Sequence, residues 1–370
     1  MGLTDSLLYY ILIALSILAF AATIYLWPAL SRRHILHISG RVAVLLITNL
    51  LIVVTLGISL NNYGAFYTSW SDLFGIETTA MAVSDAPSQF SNAPRITAQD
   101  LVSGSVSAAG TVTIERIVRG KSSGEQGHVW IIFPKSAVAK IKSGAPLDLS
   151  LYKVLQVLPG FPGTPLGWIK RLDIVQNLET AWGNKKLPQS IAILTETNLL
   201  HGYDGECFDT PNGPQIETWL TTDVKTFATS WLGVKATGWG IMGNSTGGWC
   251  APMLAIRHPD QYVAAASIAG YFTPQPSKSL SPEVAAALSK EYDLRAIIKE
   301  TKPQISIFAT VSPTDRGSYF QTIRFVSEMK NKISITTLDL AGTGHNFQAW
   351  IPAITPALNW FGTKLKKVSL

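Results

Sequence analysis

The sequence predicts an α/β domain, a mostly parallel central sheet with helices on both faces, preceded by a two-helix transmembrane hairpin. Two uncharged apolar runs near the N-terminus predict the hairpin. Alternating strand-like and helix-like segments from about residue 150 onward predict the sheet. A glycine-flanked serine, Gly243-x-Ser245-x-Gly247, falls at one strand-to-helix junction and marks where chemistry would gather.

The chain has 370 residues, of which 47% are hydrophobic and only 15% charged, a balance too apolar for an ordinary soluble enzyme. The excess sits at the front. Leu7–Leu30 and Val42–Leu60 carry no charged side chain, and each is long enough to cross a hydrocarbon core as a helix, which needs around 20 residues. Neither run shows a polar stripe of the sort a buried core helix would carry. Residues 1–60 are therefore read as the hairpin, with helices over about 7–30 and 42–60. Ser31–Arg41 between them holds Arg32, Arg33 and Arg41, whereas Met1–Ser6 holds only Asp5. The positive-inside rule then places this loop in the cytoplasm and both termini outside. The lack of a basic leading segment and of a small-residue cleavage site argues against a removable signal peptide. Asn49, in the second run, reads as a tolerated polar residue rather than a helix-packing contact.

Residues 61–95 are polar, mixed and without periodicity, and read as a linker. Residues 96–370 form the outer domain. Gly110–Val118 and His128–Phe133 are β-rich runs separated by the turn residues of Gly120–Gly124, a hairpin signal. Further strands follow at Tyr152–Leu158, Ser190–Thr195, Gly238–Met242, Tyr262–Ile268, Gln304–Thr310 and Ile333–Leu338. Helices are expected at Glu217–Leu232, Thr246–His258 and Ser318–Lys330. The net charge of +6 is spread without a basic run, which excludes nucleic acid as the expected partner. Cys207 and Cys250 are the only cysteines. In an oxidising outer compartment they read as a disulfide, with two unpaired buried thiols as the alternative. Neither belongs to a metal-ligand cluster of usual spacing, so no metal site is expected.

Ser245 would occupy a nucleophile elbow, in which the two glycines make room for a sharp turn. A serine nucleophile needs a histidine base and a carboxylate to orient it. Only His258 and His345 follow Ser245 in the sequence. His258 ends a helix and reads as a cap, leaving His345, in a glycine-rich loop after a strand, as the base. Asp315 follows the strand ending at Thr310 and reads as the acid, with a helix N-cap or an ion pair to Arg316 as its plainer roles. Asp293 and Asp339 are less well placed in the chain. Oxyanion donors would be the N–H of Thr246 and that of Phe161, in the Pro159–Gly163 loop where Pro162 has no N–H to give. A turn without function is the alternative for that loop.

The segment from Glu217 to Val224, the elbow, and the segment from Ala255 to Gly270 resemble the esterase family that holds esterase D-type hydrolases and the actinobacterial antigen 85 mycolyltransferases. The similarity covers roughly residues 151–361. It implies an α/β-hydrolase fold, a triad falling on Ser245, Asp315 and His345, and oxyanion donors at Phe161 and Thr246. The chain departs from the mycolyltransferases where Pro159 and Pro162 replace an acidic residue and an arginine beside the oxyanion loop, so trehalose recognition is not implied. The hairpin and Cys207, within Asp204-Gly205-Glu206-Cys207, are more like membrane-anchored actinobacterial esterases. The expected activity is that of a membrane-anchored, extracytoplasmic serine esterase or acyltransferase acting on an acyl ester or lipid of the cell envelope, with no cofactor. Mycolyl-type transfer to an envelope hydroxyl is one alternative. A catalytically idle hydrolase-fold subunit, held beside a membrane-protein partner, is another.

Overall fold

In the computed structural model the residues described are 2–3, 5–30, 35–64, 70, 73, 83–85, 96–144, 149, 151–200, 202–340 and 344–365. The chain divides into two compact units, Met1–Thr78 and Thr79–Leu370.

In the first unit the apolar runs form helices Ser6–Leu26 and Ile35–Gly64. Both contain stretches long and apolar enough to cross a membrane, Ser6–Leu26 at mean hydropathy 2.4 and His37–Asn62 at 2.5. The second helix starts earlier than the hydrophobic run, taking in His37–Arg41, while Ser31–His34 of the arginine-bearing loop lie outside the described residues. A polar seam does exist, contrary to the sequence reading. Tyr9, Ser16 and Thr23 recur every seven residues and face Ser59, Thr55 and Thr48, with Ser16 Oγ–Thr55 Oγ1 at 2.9 Å and Thr23 Oγ1–Thr48 Oγ1 at 2.8 Å. Hydroxyls so widely spaced leave the run apolar on average, which hides them from a hydropathy scan. Asn49 donates to Leu45 O of its own helix at 2.9 Å, as a tolerated polar residue would.

The second unit holds strands β1 (Val83–Asp85), β2 (Ser105–Val106), β3 (Val112–Arg119), β4 (Gln126–Phe133), β5 (Lys153–Leu158), β6 (Ser190–Thr195), β7 (Trp239–Asn244), β8 (Tyr262–Ile268), β9 (Ser306–Val311) and β10 (Ser334–Asp339). They form one sheet in the order β1-β3-β4-β6-β5-β7-β8-β9-β10, with β2 paired to β3. The pairs from β6 through β10 are parallel; β3–β4 and β4–β6 are antiparallel. This is the α/β-hydrolase arrangement. The expected hairpin is β3–β4. β1 lies inside the segment read as a linker and pairs in parallel with β3; of the rest of 65–95, all but 70 and 73 lies outside the described residues.

Strands covered on both faces should be apolar without alternation, and β6 is buried at every position. Successive residues feed opposite layers. Ile191 and Ile193 join the layer of helix Thr246–Arg257, and Ala192 and Leu194 join that of helices Ile174–Gly183 and Phe347–Leu365. Gln156 is the buried polar exception in β5. Its amide is fully buried and paired, accepting from Tyr262 Oη at 2.7 Å and donating to Thr195 Oγ1 and Leu220 O. The expected helix at Glu217–Leu232 is present as alternating α and π turns from Ile216. Helix Phe347–Leu365 was not anticipated, because Pro352 and Pro356 break its pattern.

Candidate active site

Every expected site residue lies at the carboxyl edge of the parallel strands, where loops leave the sheet. Ser245 follows β7 directly and precedes helix Thr246–Arg257. Its backbone sits at φ 53° and ψ −122°, a strained conformation for a residue with a Cβ. The flanking glycines are required by contact. A Cβ on Gly243 would lie 2.2 Å from Gly247 O, and one on Gly247 would lie 2.4 Å from Leu158 O and 2.5 Å from Pro159 O. Helix and strand ends thus close around the turn and leave the hydroxyl to point outward.

The hydroxyl Oγ of Ser245 lies 2.7 Å from His345 Nε2, and His345 Nδ1 lies 2.8 Å from Asp315 Oδ2. Asp315 is 5% exposed and also accepts from Ser318 Oγ at 2.8 Å. Burial pushes its carboxyl up, but the imidazole and the Ser318 hydroxyl outweigh this and hold it below the usual carboxylate range. An ionised carboxylate can only accept. The proton of the imidazole therefore belongs on Nδ1, and Nε2 is left to accept from Ser245. Asp315 is also the N-cap position of helix Arg316–Met329, yet its side chain makes no capping bond. Thr314 Oγ1 accepts from Gly344 N at 3.2 Å, tying the acid's loop to the histidine's, and Trp350 stands edge-on to the imidazole. Ala341–Thr343 of that loop lie outside the described residues.

Gly160 packs against the serine, with room for no Cβ: one would meet Ser245 Cβ at 2.8 Å. The Pro159–Gly163 loop is thereby laid beside the serine, braced by Thr197 Oγ1 on Pro159 O and Trp168 Nε1 on Leu158 O. Among the described residues neither Phe161 N nor Thr246 N donates to a backbone carbonyl, so both N–H groups are free to meet a ligand. His258 is not part of this constellation. Its Nε2 lies 2.7 Å from Glu217 Oε1, in a cluster where half-buried His258 and Arg257 meet buried Glu217 and Tyr292.

Behind the serine, Cys207 and Cys250 are bridged, with Cα atoms 5.8 Å apart, and both are buried. The bridge fastens the Asp204–Cys207 segment to the first turns of the helix. Thr246 Oγ1 donates to Asp204 Oδ2 at 3.2 Å and Trp249 Nε1 to Glu206 O at 3.1 Å. Sequence reasoning missed Ser318, Tyr271 and the carboxylates of Asp204 and Glu206. The Ser318 spacing, three beyond Asp315, was legible; nothing local links residue 206 to residue 271. A cavity of roughly 400 Å³ lined by Pro303–Ser306 and Lys330–Ser334 opens at the amino ends of β9 and β10, away from Ser245.

Residues 201–361 match the protein family described as Putative esterase. The diacylglycerol acyltransferase/mycolyltransferase Ag85B of Mycobacterium avium is 37% identical over 68 residues, 18% of this chain and 20% of that protein. The chain thus spans about a fifth of the length of the curated relatives it matches. Among solved structures, an S-formylglutathione hydrolase from Agrobacterium tumefaciens superposes with a TM-score of 0.59 at 13% identity, covering 72% of this chain and 99% of that one. A ferulic acid esterase superposes at 0.56 and 18% identity, covering 68% and 97%. The fold is that of an α/β-hydrolase, and the match to this esterase family runs through residues 201–361.

Proposed function

We propose that the chain is a serine ester hydrolase or acyltransferase, anchored in the cell membrane by residues 1–60 and acting outside the cytoplasm through residues 96–370. The observation that carries the chemistry is the hydrogen-bonded line from Ser245 Oγ through His345 to Asp315, set on a strained turn whose glycines cannot bear a Cβ. Its parts have separate roles. His345 Nε2 takes the hydroxyl proton as Ser245 Oγ attacks the acyl carbonyl, and the Asp315 carboxylate stabilises the imidazolium that forms. The N–H groups of Thr246 and Phe161 receive the oxyanion. His345 returns the proton to the departing alkoxide, and the acyl-serine is left. Water or a second hydroxyl, deprotonated by His345 in turn, releases the acyl group and restores Ser245. All the groups needed come from the chain itself.

Two apolar helices and the arginines flanking their connection support a membrane address with both ends outside. The bridged cysteines support an oxidising compartment. The mycobacterial relative is named a diacylglycerol acyltransferase/mycolyltransferase, which supports a lipid or other envelope ester as the substrate class. The test is fluorophosphonate labelling of intact cells expressing the full chain, followed by fractionation. A labelled band is expected in the membrane fraction for wild type and none for Ser245→Ala. Equal labelling of the two would refute the assigned nucleophile, and a band only in the soluble fraction would refute the anchor.

A further inference from the structure

β5 and β6 run side by side in parallel, with Val157 in register with Leu194, so the segments that leave their carboxyl ends lie together. One is the Pro159–Gly163 loop; the other begins Glu196-Thr197-Asn198. Half-buried Asn198 turns its side-chain amide into the first. Its Nδ2 donates to Gly163 O at 2.5 Å and, more weakly, to Gly160 O at 3.4 Å. Both neighbours are carbonyls, which only accept, so the nitrogen of the amide and not its oxygen must face them, and it has one hydrogen for each. The loop is already folded back on itself there, since a Cβ on Gly163 would lie 3.1 Å from Gly160 O. Asn198 thus closes the turn that carries Phe161, the residue whose backbone N–H is assigned to the oxyanion.

We propose that Asn198 is a positioning residue for acyl transfer, fixing the direction of the Phe161 N–H. The proposal rests on the reading of Ser245 as nucleophile and Phe161 as oxyanion donor. Gly160 O and Phe161 N belong to one peptide unit, and that unit is trans. In a planar trans peptide the C=O and the N–H point in opposite directions, so a group that holds the carbonyl on one side aims the N–H to the other. The strand order supplies the two sides. β5 lies between β6 and β7, so Asn198 meets the loop from the β6 flank while Ser245 stands on the β7 flank. Holding Gly160 O toward β6 therefore sends the Phe161 N–H toward the serine. Without a Cβ on Gly160 this peptide can rotate at little cost. Turned over, it would present a carbonyl oxygen to the place where negative charge develops, and repel what it should stabilise. The bond from Asn198 opposes that rotation, and by polarising the carbonyl it strengthens the donor at the other end of the same unit. Thr197 Oγ1, on Pro159 O at 3.5 Å, acts on the preceding peptide, which carries Gly160 N and not the assigned donor.

The experiment compares kcat/KM for p-nitrophenyl butyrate and for p-nitrophenyl thionobutyrate, in which sulfur replaces the carbonyl oxygen, on the full chain in detergent. Sulfur accepts hydrogen bonds poorly, so the oxygen-to-sulfur rate ratio, divided by that for hydroxide in water, reads the oxyanion donors and not the nucleophile or its base. Wild type should favour the oxygen ester by about a hundredfold or more, the scale of one oxyanion donor. Asn198→Ala loosens a donor without removing it, and should lose about tenfold on the oxygen ester. Its rate on the thiono ester should change much less, so the ratio falls with the oxygen rate. Asn198→Asp keeps the shape but, once ionised, can only accept. Set against two carbonyls, it should turn the peptide over and lower the ratio at least as far. A folded Asn198→Ala with the wild-type ratio would overturn the positioning role, and so would equal losses on the two esters, the mark of a general disturbance of the site. Should Asn198→Ala not fold, the same two results for Asn198→Asp overturn it. The failures separate. Fluorophosphonate labelling of Ser245→Ala would refute the nucleophile, and a wild-type ratio no higher than that of hydroxide would refute the oxyanion reading; a high wild-type ratio that Asn198→Ala leaves unmoved would refute the Asn198 role alone.

Discussion

Replacing Gly247 with alanine would place a methyl carbon 2.4 Å from Leu158 O, where an ordinary contact begins at 3.4 Å. One partner must therefore retreat by about 1 Å. The carbonyl is poorly placed to do so, because it ends β5, whose Leu158 is in register with Gly243 of β7, and it accepts the Trp168 indole N–H at 3.0 Å. Pro159 O, at 2.5 Å, blocks the neighbouring direction. The first turn of helix Thr246–Arg257 should move instead, carrying Ser245 away from His345. Overpacking of this kind costs about 1–3 kcal/mol, which a domain of this size tolerates. A misplacement of about 1 Å, however, costs on the order of a hundredfold in rate. Purified Gly247→Ala should thus unfold cooperatively a few degrees below wild type while its kcat on p-nitrophenyl butyrate falls by about two orders of magnitude. A folded variant within threefold of the wild-type kcat would refute the reasoning that this glycine sets the serine's position.

Two stability predictions concern the surroundings of the site. The Cys207–Cys250 bridge closes a 43-residue separation, for which the loop-entropy relation gives about 4 kcal/mol. Cys207→Ala/Cys250→Ala should therefore lower Tm by roughly 8–16 °C, and a shift under about 2 °C would show that the bridge constrains nothing. Glu217 is buried, which alone would raise its carboxyl, but the bonds from His258, Arg257 and Tyr292 pull it down to about 2. A lowered folded value means stability that is fully present above the ordinary carboxylate range and is lost as pH falls through about 2. Glu217→Gln should be destabilised at pH 7 by about 3 kcal/mol and show a shallower loss of stability between pH 5 and 2; an unchanged acid profile in chemical denaturation would refute it.

The order of the chain was enough to give the fold class, since β5 through β9 are short apolar runs separated by polar turns and helices, and such alternation has few ways to bury itself other than a parallel sheet. The nearest misses were local. Helix Phe347–Leu365 carries two prolines, and β1 is three residues inside a stretch without periodicity. The seam of Tyr9, Ser16 and Thr23 fell below the resolution of an averaged hydropathy.

What the sequence by itself determined is whatever a local pattern encodes: two spans long enough for a bilayer, a strand–turn–helix junction around Ser245, and a supply of histidine so limited that His345 was the natural candidate base. Tertiary structure alone decided what depends on distance between segments far apart in the chain. It brought Asp315, His345 and Ser245 from three loops to one edge, because all three strands run the same way and end together. It also set the Glu206 carboxylate against Tyr271 and the Asp204 carboxylate against Thr246, a closeness created only when the segment bridged at Cys207 meets the serine's helix. Hydrophobic spacing carries no record of which buried carboxylate will meet which hydroxyl, and the protonation of that carboxylate depends on the meeting.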